Sequence, residues 1–228
     1  MLMISYILNL LFPEKCIFCG QMLSYKEKRA VCSECNKRIP FTPDVIYQMG
    51  EEFYFDEAIC LSYYSGIVKD AIKRFKFQKK PGYYRAFGKL MAEKIKKVTS
   101  VSNFDIIISV PLHKDKYAVR GYNQAHLISS FLSKELGIKE KSYVISRVKN
   151  TKVQSLLSRD ERNLNIKDAF KVLKPNEVYG KSVLIIDDVL TTGGTLSECS
   201  MVLKEAGAIK VTALVIASGK NFSIPNGG

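Results

Sequence analysis

Residues 184–195 read LIIDDVLTTGGT: an apolar run meets two adjacent aspartates and then a loop of threonine and glycine. The run suits a strand buried on both faces and the loop opens into a helix-length segment, so the stretch reads as a strand-to-helix turn. Small residues at such a turn let backbone N–H groups close around an anion. Thr191, Thr192 and Thr195 add hydroxyl donors, Gly193 and Gly194 keep the backbone accessible, and the helix N-terminus contributes its dipole. This predicts a phosphate site. It is not a P-loop, because the only Gly-Lys-Ser, at 180–182, precedes the strand, and position 175, where the first glycine would fall, is proline. The dinucleotide fingerprint G-x-G-x-x-G is absent as well. Carboxylates at Asp187 and Asp188 would repel a bound phosphate unless they face the hydroxyls of a sugar or a Mg²⁺ ion. A ribose 5-phosphate satisfies both halves of the stretch.

The surroundings agree with a turn of this kind. Strands are predicted over 57–64, 104–110, 142–148, 182–187 and 210–217, and helices over 67–77, 83–98, 122–136 and 195–206. β-branched runs separated by helix-length segments point to an α/β fold, a doubly wound, mostly parallel sheet covered on both faces. Ligands of such sheets bind beyond the carboxyl ends of the strands. A chain of 228 residues, 46% of them apolar, is long enough for one core and a small appendage. Two prolines near 40–45 mark a linker, giving an N-terminal module over 1–44 and the α/β domain over 45–228.

The N-terminal module carries Cys16, Cys19, Cys32 and Cys35, two C-x-x-C knuckles with twelve residues between them. Each tight turn offers two sulfurs to one tetrahedral ion, the spacing of a four-thiolate zinc site. The competing readings are disulfides or a redox pair, which a reducing compartment disfavours. With all four positions thiolate, no place is left for water, so the expected zinc is structural. Cys60 and Cys199 have no partner at such spacing and read as small buried hydrophobes. The apolar stretch 2–12 is about half the roughly 20 residues of a membrane span. It reads as a short helix packed on the body or as a peripheral membrane contact, and the expected location is the cytoplasm.

Formal charge is +13, and it is concentrated: residues 61–100 hold eleven basic side chains and two acidic ones. A positive field of this kind attracts polyanions. Lys73, Arg74, Lys76, Lys79 and Lys80 are the candidate nucleic-acid contacts, with aromatic residues such as Phe75 and Phe77 interleaved for base stacking. The alternative is a solubilising lysine face on two helices.

A hydrophobic strand, two acidic residues and T-T-G-G-T resemble the phosphoribosyl-pyrophosphate (PRPP) loop of type I phosphoribosyltransferases. That resemblance implies that Asp187 and Asp188, the candidate catalytic pair, face the ribose hydroxyls and that residues 191–195 hold the 5-phosphate. Together with the four-cysteine knuckle, VPLHKDKYAVRGYNQA at 110–125 and RVKNTKVQSLLSRDERNLNIKDAF at 147–170, the whole chain resembles the ComF family, competence-associated phosphoribosyltransferase-like proteins of bacteria. The resemblance implies a pyrophosphate grip at Pro111, Leu112, His113, Lys114 and Arg120, and a mobile loop over 149–164.

Physical chemistry asks for similar parts. Breaking the bond from ribose C1 to pyrophosphate builds positive charge on the sugar and negative charge on the leaving group, which calls for cations and Mg²⁺ on the diphosphate and carboxylates near the ribose. Lys114, Lys116 and Arg120 follow one predicted strand; Arg147, Lys149, Arg159 and Arg162 lie on or after the next. His126 reads as structural. Three functions are consistent with these parts. One is a PRPP-binding protein that handles incoming single-stranded DNA during competence, another an active phosphoribosyltransferase with an unknown acceptor, and the third a partner of a competence helicase.

Overall fold

The structure, a computed structural model, describes residues 14–24, 30–149 and 168–219. Its strands are β1 (Tyr47–Gln48), β2 (Glu57–Tyr63), β3 (Ile106–Ser109), β4 (Lys139–Glu140), β5 (Ile145–Arg147), β6 (Phe170–Val172), β7 (Ser182–Leu190) and β8 (Lys210–Ser218). The helices are α1 (Ser33–Arg38), α2 (Gly66–Phe77), α3 (Tyr83–Val98), α4 (Lys114–Arg120), α5 (Gln124–Leu136) and α6 (Gly194–Glu205). The main sheet has the order β1-β2-β8-β7-β3-β4. Only its β1–β2 pair is antiparallel. β5 and β6 form a separate antiparallel ribbon.

Alternation along the strands sorts their side chains between two cores. Leu184 and Ile186 of β7 join Ile59, Ile107 and Leu214 under α2, α3 and α5, which contribute Phe75, Phe87 and Ile128. Val183 and Ile185 join Cys60, Ile108 and Val215 on the opposite face, under Leu196, Cys199 and Leu203 of α6 and Ile145 and Phe170 of the ribbon. The sheet is therefore covered on both faces, the doubly wound arrangement expected. Cys60 and Cys199 are fully buried within it.

The cysteine knuckle is built into the first of these cores. Cys16, Ile17, Phe18, Val31, Cys32, Cys35 and Ile39 belong to the same buried cluster as Phe75 and Phe87. Phe18 meets the Phe87 ring edge-on at 6.3 Å. The linker is pinned by Lys94, whose side chain is 3% exposed. Its Nζ donates to the carbonyls of Thr42 (2.8 Å) and Pro43 (2.6 Å) and to Asp44 Oδ1 (2.7 Å). Three acceptors match the three donors of an ammonium, which makes a buried lysine tolerable.

Several elements differ from expectation. The strand expected over 142–148 is a 3-10 turn, Ser142–Val144, followed by β5 in the ribbon rather than in the main sheet. The place beside β3 is taken by β4, and that ladder stops after two residue pairs because Ser142 Oγ accepts the Ser109 N–H at 2.7 Å in place of a strand carbonyl. β7 does not end at the aspartates. Its parallel pairing to β8 runs on through Asp187↔Val215 and Val189↔Ala217 to Leu190↔Ser218. Helix α4 corresponds to no predicted element, although its ends carry ordinary signals: His113 caps it by accepting the Asp115 N–H at 3.3 Å, and Gly121 closes it in the left-handed conformation. The helix expected over 2–12 lies outside the described residues.

Candidate functional site

The alternation that sorts the cores also separates the two aspartates. Asp188 continues the series of Leu184 and Ile186 and faces α2, where Lys76 Nζ lies 2.6 Å from its Oδ1. Asp187 continues the series of Val183 and Ile185, and its charge acts on Arg147 of β5 and Cys199 of α6. Its Oδ1 accepts the Asp188 N–H at 2.8 Å. Burial first, and then the charge of Asp188, push the Asp187 carboxyl up to about 7. Burial works against the Lys76 ammonium, but the ion pair with Asp188 outweighs it and holds Lys76 above its usual range.

Three more cations lie within electrostatic reach of these groups. Burial lowers Lys116, which is also repelled by Arg147, Arg120 and Lys76. Burial lowers Arg120 against the pull of Asp188 and Asp187, and lowers Arg147 although Asp187 favours its charge. Burial lowers all three, and only at Lys116 do neighbouring cations add to it, while Arg120 and Arg147 lie in the field of the carboxylates.

The loop after β7 turns on Gly193. Gly193, at φ +81°, has no room for a side chain, since a Cβ there would lie 2.4 Å from the Phe53 ring. Tyr54 N–H bonds Ser197 Oγ at 3.1 Å, fixing this segment over the first turn of α6. Thr191 is exposed, while Thr192, Gly194 and Thr195 are half-buried around the helix start.

On the β3 side, Pro111 and Leu112 are half-buried, His113 is buried as the cap of α4, and Lys114 is exposed. Asn123 Nδ2 donates to the Val110 carbonyl at 2.9 Å and so ties the start of α5 to this loop. Arg120 donates to Gln124 Oε1 at 2.7 Å, with its guanidinium 5.5 Å from the centre of the Phe77 ring. Arg147 covers the Phe170 ring at 5.3 Å, and Lys149 pairs with Asp168 at 3.3 Å on the exposed end of the ribbon. Arg159 and Arg162 lie outside the described residues. His126 pairs with Glu140 at 3.3 Å, a bracing contact on α5.

The basic strip divides in two. Lys73, Lys79 and Lys80 are exposed. Arg74 and Lys76 are not part of an outward strip: Arg74 donates to the Ile17 and Phe18 carbonyls at 2.9 Å each, and Lys76 is committed to Asp188. Lys76 follows buried Ile72 by one helical turn, so its stem runs along the core side of α2.

The four Sγ atoms of Cys16, Cys19, Cys32 and Cys35 all lie within 4.8 Å of one another, and those of Cys19 and Cys32 are 3.8 Å apart. Zn–S bonds of about 2.3 Å place the sulfurs of a tetrahedral site about 3.8 Å apart, so this donor set fits zinc. A divalent cation fits the acid pair less well. One Asp188 oxygen is taken by Lys76 and one Asp187 oxygen by a backbone N–H. A groove of about 700 Å³ lined by Phe104, Ile106, Leu136, Lys139 and Lys181 lies at the amino ends of the strands, away from these groups.

Residues 7–62 match the double zinc ribbon domain and residues 122–221 the phosphoribosyl transferase domain. Competence protein F of Haemophilus influenzae is 32% identical over 218 residues, covering 88% of this chain and 95% of its own. The chain belongs to the ComF family. DNA utilization protein YhgH of Escherichia coli (strain K12) is 32% identical over 151 residues, 65% of this chain and 66% of its own. Among solved structures, the glutamine PRPP amidotransferase of B. subtilis complexed with ADP and GMP aligns with 67% of this chain and 28% of its own, at 20% identity and a TM-score of 0.39. Among the described residues of this ComF-family chain, the zinc ribbon match contains a single set of four clustered cysteines, Cys60 being buried in β2. Among the described residues no helix is long and apolar enough to cross a membrane.

One residue beside the β7 loop escapes sequence reading, and another is read there in a different role. Phe53 belongs to no recognisable motif. Lys76 stands in a run of lysines that looks uniform until α2 is docked.

Proposed function

We propose that the carboxyl end of β7 binds the ribose 5-phosphate part of PRPP or a related phosphoribosyl ligand. Two carboxylates beside a glycine-bearing helix start, with Arg120 and Arg147 in their field and Lys116 close to both of those cations, carry this reading. The 5-phosphate lies on residues 191–195, with Asp187 and Asp188 against the ribose hydroxyls and the cations on the diphosphate. Titration calorimetry with PRPP tests it. Wild type is expected to bind, and Asp187→Asn with Asp188→Asn to bind at least about tenfold more weakly while remaining folded, a loss of about 1.4 kcal/mol. Equal affinity would remove the aspartates from the site.

In the cell, we infer a cytoplasmic role in DNA uptake, in which the protein handles incoming single-stranded DNA beside a competence helicase. The relatives' names support the DNA part, as do exposed Lys73, Lys79 and Lys80 around Phe77, which is 73% exposed. Cations and an exposed ring together suit a single strand, neutralising phosphates and stacking bases.

Transferase activity is the second reading, favoured by the presence of carboxylates and cations in one site. Cleavage at C1 leaves positive charge on the ribose, near the carboxylates, and negative charge on the diphosphate, near Arg120, Lys116 and Arg147. Release of pyrophosphate from PRPP with a panel of bases and amines would show it. No release with any acceptor, together with tight PRPP binding, leaves the binding function alone.

A further inference from the structure

The chain itself supplies the counter-charge for one of the two aspartates. Lys76 Nζ sits 2.6 Å from Asp188 Oδ1, and the two side chains are 24% and 12% exposed. This is no loose surface pairing, because the turn of α2 that carries Lys76 is braced residue by residue. Arg74 is held by two knuckle carbonyls. Phe75 is wholly buried and stacks on Phe87 and Tyr122, with ring centres 5.9 Å apart in each case. Its carbonyl accepts from the Tyr122 hydroxyl and, at 3.5 Å, from Gln124 Nε2. Lys76 is thus delivered to Asp188 by a fixed piece of backbone.

An ammonium in that position occupies one carboxylate oxygen and leaves the other for a sugar hydroxyl. A divalent cation at the same carboxylate would have to displace Lys76 or lie against it, and like charges repel strongly in a partly dry site. Lys116, Arg120 and Arg147 already furnish positive charge for the ligand's phosphates. We propose that Lys76 is the resident counter-ion of Asp188, and that phosphoribosyl ligands bind this site without a divalent cation. Lys76 acts as a positioning residue, through Asp188. The proposal rests on the phosphoribosyl reading of the site.

The test is calorimetry of the zinc-loaded full chain with ribose 5-phosphate and, separately, PRPP, in divalent-free buffer and with Mg²⁺ added, zinc content being checked in each sample. Wild type is expected to bind within about threefold of the same affinity in the two buffers, a difference well under the 1.4 kcal/mol of a tenfold change. Lys76→Met is expected to lose about tenfold without divalent cation, 1.4 kcal/mol, and to recover when Mg²⁺ is added. Lys76→Arg keeps the charge and should stay near wild type in both buffers. A wild type that binds only with Mg²⁺, matched there by Lys76→Met, overturns the proposal. If Lys76→Met does not fold, the Mg²⁺ dependence of wild type and of Lys76→Arg decides in the same way. Should wild type bind neither probe in either buffer, the phosphoribosyl reading itself falls, and the role of Lys76 with it.

Discussion

Arg74 and Ile17 are joined across the boundary between the cysteine knuckle and the α/β body: the guanidinium Nη2 donates to the Ile17 carbonyl at 2.9 Å. The same nitrogen reaches the Phe18 carbonyl, so one side chain satisfies two knuckle acceptors that no strand or helix can serve. Arg74→Met keeps the apolar stem and removes the donors. Losing hydrogen bonds from a charged donor costs about 2 kcal/mol, which for a chain of this size lowers the melting temperature by roughly 4–8 °C. Zinc content should be unchanged, because the ligands are untouched. A variant that melts with wild type would make the contact incidental.

Removing a zinc ligand should act further away. Since Cys16, Cys32 and Cys35 lie in the cluster that holds Phe75 and Phe87, Cys32→Ser is expected to lower the whole unfolding transition rather than release the knuckle alone. Elemental analysis should find zinc lost, and thermal unfolding should be followed by an aromatic signal from the body. Wild-type melting of the body, with the knuckle unfolded, would show that the two are separate cooperative units.

Asp187 makes a prediction about pH. Its folded value is raised, to about 7 from an ordinary 3.8. A raised folded value means that the stabilising contribution is full below the ordinary value and is lost as pH rises through about 7. Asp187→Asn has no such loss, so it should melt higher than wild type at pH 8 and lose that advantage toward pH 4. Even one unit of the shift corresponds to about 1.4 kcal/mol, roughly 3–6 °C here. A difference in melting temperature that does not change with pH would rule this out.

At Gly193, Ala should be harmful twice over. The backbone is left-handed, which costs a residue with a Cβ about 1–2 kcal/mol, and the new methyl would meet the Phe53 ring. Gly193→Ala is expected to weaken PRPP binding by at least about tenfold, 1.4 kcal/mol. Adding Phe53→Ala should restore part of the loss by removing the collision and leaving the backbone cost. No recovery in the double variant would mean that Phe53 does not constrain the loop.

The exposed lysines can be tested without touching the site. Changing Lys73, Lys79 and Lys80 together to Gln should flatten the salt dependence of single-stranded DNA binding, by about 0.7 in log–log slope for each phosphate that is no longer neutralised. PRPP affinity and zinc content should stay as they are. An unchanged slope would leave these lysines as a solubilising face.

What the sequence disclosed follows from how local each signal is. Cys16 to Cys35 are close in the chain, and the strand, acid pair and loop of 184–195 are contiguous, so their chemistry needs no tertiary information. The ribbon is hidden because its departure from the main sheet depends on a Ser142 hydroxyl taking the Ser109 amide, a side-chain event that apolar patterning does not record. Lys76 and Lys79 look alike in a lysine run. Only the seating of Phe75 against Phe87 and Tyr122 turns one toward Asp188 and leaves the other in solvent. Placing Arg74 and Lys76 on a nucleic-acid strip assumes that charge on a helix faces outward, which a helix wedged between two modules does not obey.

The shared core also fixes an order of events at the ribosome. Residues 14–39 emerge before α2 and α3, which supply the apolar surface that Ile17, Phe18 and Ile39 are buried against. Until residues near Ile95 have appeared, the knuckle has sulfur ligands but no hydrophobic partner, and metal is what can keep it closed while it waits. The knuckle is therefore expected to meet α2 and α3 as a finished surface only when zinc has been bound before those helices fold onto it.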